Sequence, residues 1–303
     1  GFFMLFELTG FVEDHDPVIV KENKTYYCFS THGFISSSSD MKNWKLEGRV
    51  FNGKNFDWVN EYLPKNGGDL WAPELVRRNG KWRLYYAVSA FGKRTSVIGL
   101  AENKTLDMKS PLYKWEDCGC VIKSSDSDNF NAIDPAVCRD QEGKDYLVYG
   151  SFWGGLFILP LKEDGHVEVA AKAVNLANRG TDPDPVEGGF IFFHKGYYYL
   201  FASYDFCCRG TASTYHIVIL RSKSITGPYY DSIGNDAFHS GGDVLRNGLS
   251  HKRWAGPGHN TVFEDTDGRT YLVYHAYDRL NEGKNNLQIE ELFWDEDGWP
   301  YLK

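Results

Sequence analysis

Long hydrophobic runs are missing from this sequence of 303 residues: none approaches the roughly 18 apolar residues that a membrane-spanning helix needs, so no membrane partner is expected. The opening stretch from Gly1 to Gly10 has neither a basic segment nor a small-residue cleavage site. A soluble chain is therefore expected, any export signal having been removed or never present. Positive charge is in deficit. With 33 Lys and Arg against 41 Asp and Glu the net charge is −8, which leaves no basic stripe for nucleic acid. Cysteine is sparse and wrongly spaced for zinc: Cys28, Cys118, Cys120, Cys138, Cys207 and Cys208 include no CxxC pair and have no His-rich partner. Cys28 and Cys138 fall inside apolar strand patterns, as small buried hydrophobes do. Cys118/Cys120 and Cys207/Cys208 are close enough to oxidise locally, although such tight rings are strained and labile. Cysteine usage leaves the compartment open.

Helical periodicity is nearly absent as well. What the chain has instead is 16% aromatic residues (20 Phe, 19 Tyr, 9 Trp) and 31 Gly, the mixture that suits short strands joined by tight turns. At 42% hydrophobic and 24% charged it is composed as a folded protein and not as a disordered one. Five segments share one plan, an acidic or small residue often followed by Pro, then an apolar strand, a polar turn and an aromatic-rich strand. They start at Asp16, Ala72, Asp134, Glu187 and His259, at intervals of 53 to 72 residues. The turns within them are Glu22-Asn23-Lys24, Asn79-Gly80, Glu142-Gly143, Lys195-Gly196 and Asp267-Gly268, each between two apolar runs as hairpins require. Further short strands follow, such as Gly33-Phe34-Ile35-Ser36 and His216-Ile217-Val218-Ile219. Four strands per unit, repeated five times over 1–303, predict an all-β fold: one domain, a five-bladed β-propeller of four-stranded antiparallel blades. Phe2-Phe3-Met4-Leu5-Phe6, an apolar strand without a partner in its own unit, is expected to close the ring against the last blade.

In a propeller the first strand of every blade lines the central channel, so its starting residues converge. Three of the five anchors carry a carboxylate: Asp16, Asp134 and Glu187. Asp-Pro is a common turn initiator, but three clustered anions repel one another and raise each other's pKa, which chemistry explains better than folding does. The ends of the second strands, among them Ser151-Phe152-Trp153-Gly154 and Ser89-Ala90-Phe91-Gly92, add hydroxyls and aromatic rings on the same face. Some rings pack between blades, and the others offer flat platforms of the kind a sugar chain needs. Paired acids in such a cleft fit glycoside hydrolysis, where one carboxyl protonates the leaving oxygen and another activates water or attacks.

The residues His15-Asp16-Pro17, Leu70-Trp71-Ala72-Pro73-Glu74, Asn129-Phe130-Asn131-Ala132-Ile133-Asp134-Pro135, Gly150-Ser151-Phe152-Trp153-Gly154-Gly155, Cys207-Cys208-Arg209-Gly210, Gly256-Pro257-Gly258-His259-Asn260 and Leu272-Val273-Tyr274-His275-Ala276-Tyr277-Asp278 together resemble the α-1,5-L-arabinanases of glycoside hydrolase family 43, from Asp14 to about Trp299. The resemblance implies an inverting enzyme in which Asp16 is the general base, Glu187 the general acid and Asp134 the residue that orients Glu187 and raises its pKa. It places Trp71, Phe91 and Trp153 along the substrate subsites, with Asn131 and Ser151 as polar neighbours. It also implies a calcium ion in the channel, held through His275 and several waters. Calcium prefers oxygen ligands, and a buried, hydrogen-bonded His275 is the alternative reading. The run Glu187-Gly188-Gly189-Phe190 departs from the family pattern by lacking bulk after the acid, which bears on the leaving-group subsites.

The expected substrate is arabinan or arabino-oligosaccharide, cut internally by a monomeric enzyme. An exo-acting α-L-arabinofuranosidase or β-xylosidase on the same scaffold is the alternative, and a non-catalytic glycan-binding propeller a further one. Secretion is expected, with a cytoplasmic location left open.

Overall fold

The computed structural model describes residues 6–303. Its strands form five sheets, four of four strands and one of five. Blade I comprises Val18–Glu22, Thr25–Phe29, Phe34–Ser38 and Asn43–Arg49, with Thr9–Gly10 added in parallel at its outer edge. Blade II runs from Trp71–Arg78 to Glu116–Ser124, blade III from Ala136–Arg139 to Val174–Ala177, blade IV from Val186–His194 to Asp243–Arg246, and blade V from Trp254–Glu264 to Pro300–Tyr301. Within each blade consecutive strands pair antiparallel, so the five-bladed propeller expected from the repeat is the observed fold. Asn79-Gly80 and Lys195-Gly196 are two-residue turns with positive φ at both positions, the geometry that matches the twist of a hairpin. The periodicity did not announce a short helix, Asp57–Tyr62, in the connection between blades I and II.

The aromatic content is accounted for by where the core lies. Among the described residues the buried apolar side chains form five layers, one between each pair of neighbouring blades. Phe29, Val59, Leu84 and Tyr86 fill the layer between blades I and II, and Tyr85, Leu100, Leu147 and Tyr149 that between II and III. Leu156, Val186, Leu200 and Leu220 join III to IV, and Tyr199, Phe201, Leu272 and Tyr274 join IV to V. Second strands such as Lys81–Val88 are therefore buried on both faces, which is why they are apolar nearly throughout instead of alternating.

The ring closes through Cys28, Trp44, Phe263, Leu287 and Ile289, against which Phe6, Leu8 and Val12 pack. The N-terminal segment is hydrogen-bonded into this seam: the Phe6 N–H donates to the Ile289 carbonyl (3.2 Å), and the Leu287 N–H to that of Val12 (2.8 Å). Of the expected closing strand, Phe2 to Leu5 lie outside the described residues. Ile289 is fully buried at the seam. Replacing it by Ala should destabilise the fold by about 2–5 kcal/mol, read as a lower urea midpoint than the wild type shows; an unchanged midpoint would contradict a closed ring held by this layer.

Candidate active site

Each innermost strand is entered through one residue in the left-handed conformation: Asp16 (φ 55°), Ala72 (44°), Asp134 (57°), Gly188 (61°) and His259 (52°). A non-glycine residue adopts that conformation at a cost of about 1–2 kcal/mol, so its recurrence around the ring marks a turn set by the fold. Blade IV corrects the alignment of the repeats by one position. Gly188, not Glu187, stands where Asp16 and Asp134 stand, and the ladder jumps from Glu187 to Phe190 as it jumps from Gly258 to Thr261 in blade V. The feature shared by the blades is a backbone angle, which a glycine supplies without a side chain, whereas the sequence reading aligned on charge. Glu187 enters one residue earlier, bridged to Ser151 of blade III.

Of the three acids, Asp16 has the most side-chain partners. Oδ2 accepts from Thr31 Oγ1 (2.6 Å) and lies 2.8 Å from His15 Nδ1, while Oδ1 lies 2.9 Å from His259 Nδ1. Burial alone would raise its pKa, but the His259 charge and the hydrogen bonds from His15 and His259 outweigh burial and hold the carboxyl well below the usual range. Its backbone N–H donates to His275 Nδ1 (2.9 Å). The ring of His275 is fully buried, stacked 3.6 Å from that of His15, and burial above all holds it neutral. Its Nε2 faces Tyr277 Oη at 3.3 Å, and Tyr277 Oη is 2.6 Å from His15 Nε2. A single assignment of protons satisfies this circuit: Asp16 N–H to His275, His275 Nε2–H to Tyr277, Tyr277 O–H to His15, and His15 Nδ1–H back to the Asp16 carboxylate.

Asp134 is buried and accepts from the Gly188 N–H (3.1 Å). Burial, and beyond it the charges of Glu187 and Asp16, push it up to about 8 against the opposing pull of His259. Glu187 is only partly buried; it accepts from Tyr215 Oη (2.9 Å) and from Ser151 Oγ. His259 binds these acids together. Burial would lower its pKa, but Asp16 and Asp134 overcome burial and carry it to about 10, so blade V contributes a cation where blades I and III contribute carboxylates.

The remaining residues singled out in the sequence fall into two groups. Ser151 is in the site itself; Asn131, three residues before Asp134, is buried and bonded to Ser96 Oγ (2.7 Å) and the Lys93 carbonyl (3.2 Å), and so acts as a brace. Phe91 is 78% exposed, Trp153 is partly exposed with the Arg94 guanidinium 5.8 Å from its ring centroid, and Trp71 is half-buried against the layer between blades II and III. Thr31, Tyr215 and Tyr277 were not singled out. For Tyr215 a signal did exist: its ring lies over Gly258, where a Cβ would fall 2.0 Å from Cδ2, so the Gly-Pro-Gly run before His259 is a mould for it. The missing bulk after Glu187 has a different explanation from the one expected. A Cβ on Gly188 would press on His259 and one on Gly189 on Leu156 and Val148, so neither position faces the cleft beside the acid.

For the implied calcium, ligand atoms of His15, Asp16 and His275 lie within 4.8 Å of one another. Two ring nitrogens and one carboxylate fit a calcium ion only as a corner of a shell that water completes, since the ion takes about 6–8 oxygens. With His275 Nδ1 engaged by the Asp16 N–H, an ion would reach the ring at Nε2 and would have to reverse the tautomer that this N–H selects.

The His259 pair also sets a pH dependence. The folded pKa of about 10 exceeds the ordinary 6.5, so between those values the native state binds a proton that the unfolded chain releases. Its contribution is complete below about pH 6.5 and is lost as pH rises through 10. The melting temperature of the wild type should fall across that window, and His259→Gln should show a visibly flatter dependence; parallel curves would contradict the assignment.

Comparison with known proteins agrees with this geometry. The sequence profile of the Glycosyl hydrolases family 43 matches residues 9–300. The chain is 43% identical to the extracellular exo-α-(1→5)-L-arabinofuranosidase ArbA of Cellvibrio japonicus, covering 96% of this chain and 86% of that protein. It is 38% identical to the extracellular endo-α-(1→5)-L-arabinanase 1 of Bacillus subtilis, covering 94% and 86%. Among solved structures, the α-L-arabinanase of Cellvibrio cellulosa complexed with arabinohexaose superposes with a TM-score of 0.91 at 42% identity over 96% of each chain. The endo-arabinanase of Bacillus licheniformis does so with a TM-score of 0.90 at 40% identity, over 98% of this chain and 99% of that one. The five-bladed fold, the acids around its channel and these matches agree: the chain belongs to glycoside hydrolase family 43.

Proposed function

We propose that this protein hydrolyses α-1,5-linked L-arabinofuranosyl bonds of arabinan and arabino-oligosaccharides with inversion, acting internally on the chain. The observation that carries the reading is the division among the three acids. Asp16 and Glu187 keep access to solvent, while Asp134 is buried. Two accessible carboxyls on different blades suit a displacement in which water and leaving group sit on opposite sides of the sugar. Asp16, fixed as an anion by three donors, takes the proton of the attacking water. Glu187 delivers a proton to the leaving oxygen, its two oxygens steered by Ser151 and Tyr215. Burial above all raises Asp134 to about 8, so this carboxyl keeps its proton near neutrality. Trp71, Phe91 and Trp153 provide sugar platforms, and residues 1–303 act as one catalytic unit and as a monomer, because one chain supplies all five blades of the site.

Internal cleavage is supported by the loops on either side. In the loop 51–68, Phe51 and Val59 are buried in the layer between blades I and II, and in the loop 232–253, Ser232 is tied twice to Asp243, so both loops fold back onto their own blades. The Bacillus relatives are named as endo-acting; the name of the Cellvibrio japonicus relative favours exo action, and products decide. Both curated relatives are named as extracellular, which supports secretion, and no helix of the described residues is long and apolar enough to cross a membrane. A calcium ion would be held by His275, with His15 and Asp16 alongside, and would supply positive charge that offsets repulsion among the acids.

Asp16→Ala and Glu187→Ala should each lower turnover on debranched arabinan roughly 10²–10⁴-fold while the protein remains folded by circular dichroism. Proton NMR of the first product should show the β-anomer, and chromatography should show oligomers before arabinose accumulates. Near-normal turnover of either variant, or an α-anomer formed first, contradicts the mechanism; arabinose alone from the outset contradicts internal cleavage. Chelation should lower the melting temperature and calcium should restore it, and no response to either would refute the ion.

A further inference from the structure

The connection between the second and third strands of blade IV does more than join them. It contains the disulfide Cys207–Cys208, the one formed among the described cysteines, with Cys208 exposed and in the left-handed conformation (φ 66°). Its ends are pinned by the N–H groups of Thr214 and Tyr215, both donating to the Phe206 carbonyl (3.0 Å each). From this one loop two lines lead to the two accessible acids. At its far end Tyr215 Oη donates to Glu187 (2.9 Å). At the disulfide, the Cys208 N–H donates to Tyr277 Oη (2.9 Å), Tyr277 Oη lies 2.6 Å from His15 Nε2, and His15 Nδ1 lies 2.8 Å from the Asp16 carboxylate.

We propose that the Cys207–Cys208 disulfide is a positioning element for the water-activating carboxylate, holding a backbone N–H on Tyr277 so that Tyr277 orients His15 and His15 orients Asp16. The inference rests on Asp16 being the general base. A left-handed residue without glycine's freedom reverts readily to an ordinary conformation, and a bond between adjacent side chains opposes that reversion. Once the loop relaxes, the Cys208 N–H leaves Tyr277, whose hydroxyl then has no fixed reason to point its proton at His15. The His15 ring, partly exposed and held at both nitrogens, is free to turn, and the Asp16 carboxylate loses one of its three donors. The effect falls on the step in which Asp16 takes a proton from water, not on the platforms that bind the sugar chain. Disulfides persist in oxidising surroundings, so an enzyme with this device reaches full turnover outside the reducing cell interior.

The test is reduction of the intact protein with a dithiol. Two electrons and two protons pass from the dithiol to the Cys207–Cys208 bond, giving two protein thiols and the cyclic disulfide of the reagent; Cys28, Cys118, Cys120 and Cys138 are already free. With the new thiols counted by alkylation and mass spectrometry, kcat on arabino-oligosaccharides should fall roughly 10–100-fold, the range for a displaced catalytic group. KM should stay within about twofold, with the melting curve still cooperative, and reoxidation should restore kcat. Tyr277→Phe, which keeps the ring but removes the link, should show a similar loss and no further response to the dithiol. The Cys207→Ser/Cys208→Ser double variant should match the reduced wild type. Unchanged kcat with both thiols confirmed, an effect confined to KM, or an equal response of Tyr277→Phe to reduction would each overturn the proposal. Near-normal turnover of Asp16→Ala would instead remove the base assignment, whatever the disulfide does.

Discussion

Everything at the mouth of this propeller depends on one imidazolium. The fold brings Asp16, Asp134 and Glu187 together at one end of the central channel, where burial by itself would drive protons onto Asp16 and Asp134. His259 lies 2.9 Å from Asp16 and is carried by its acidic neighbours to about 10. Its charge helps Asp16 remain an anion, while burial carries Asp134 up to about 8 against the pull of the same cation. Two similar carboxyls are thus separated into an anionic base, Asp16, and a group held well above the usual carboxylate range, Asp134. The assignment of roles follows from which acid that cation touches.

The fold makes this sorting possible by repeating a turn. Five strands enter the channel through the same left-handed residue, so whatever occupies that position meets its counterparts from the other blades. Ala72 leaves room, Gly188 adds none of its own bulk against His259, and the two Asp residues and His259 supply charge. The blades can differ freely at these positions because stability resides elsewhere, in the five apolar layers between them. Function occupies the axis and cohesion occupies the interfaces between blades.

That separation also determines how much could be read from the sequence. Strands, turns and blade number were legible because Asn79-Gly80 and Lys195-Gly196 force hairpins and because doubly buried second strands are apolar without interruption. Asp16 and Asp134 were legible because their positions recur. Glu187 was found by its charge but misplaced by one residue, since a backbone angle leaves no mark in a sequence when glycine adopts it. Tyr215, Thr31 and Tyr277 act on the acids from the ends of other strands or from connections, and their partners lie 15 to 262 residues away in the chain. The pairing of Cys207 with Cys208 was open to the sequence; its link through Tyr277 to blade I required the closed ring. The helix Asp57–Tyr62 is too short for a periodicity to reveal it.

The state of His259 is the measurement on which this account turns. In protein labelled with ¹⁵N at histidine, the ring nitrogens of His259, assigned by their loss in His259→Gln, report protonation directly. The account predicts an imidazolium signal that persists at pH 7.5 and titrates only near 10. A neutral ring at pH 7.5 would mean that the acids are not sorted by a shared cation, and would contradict it.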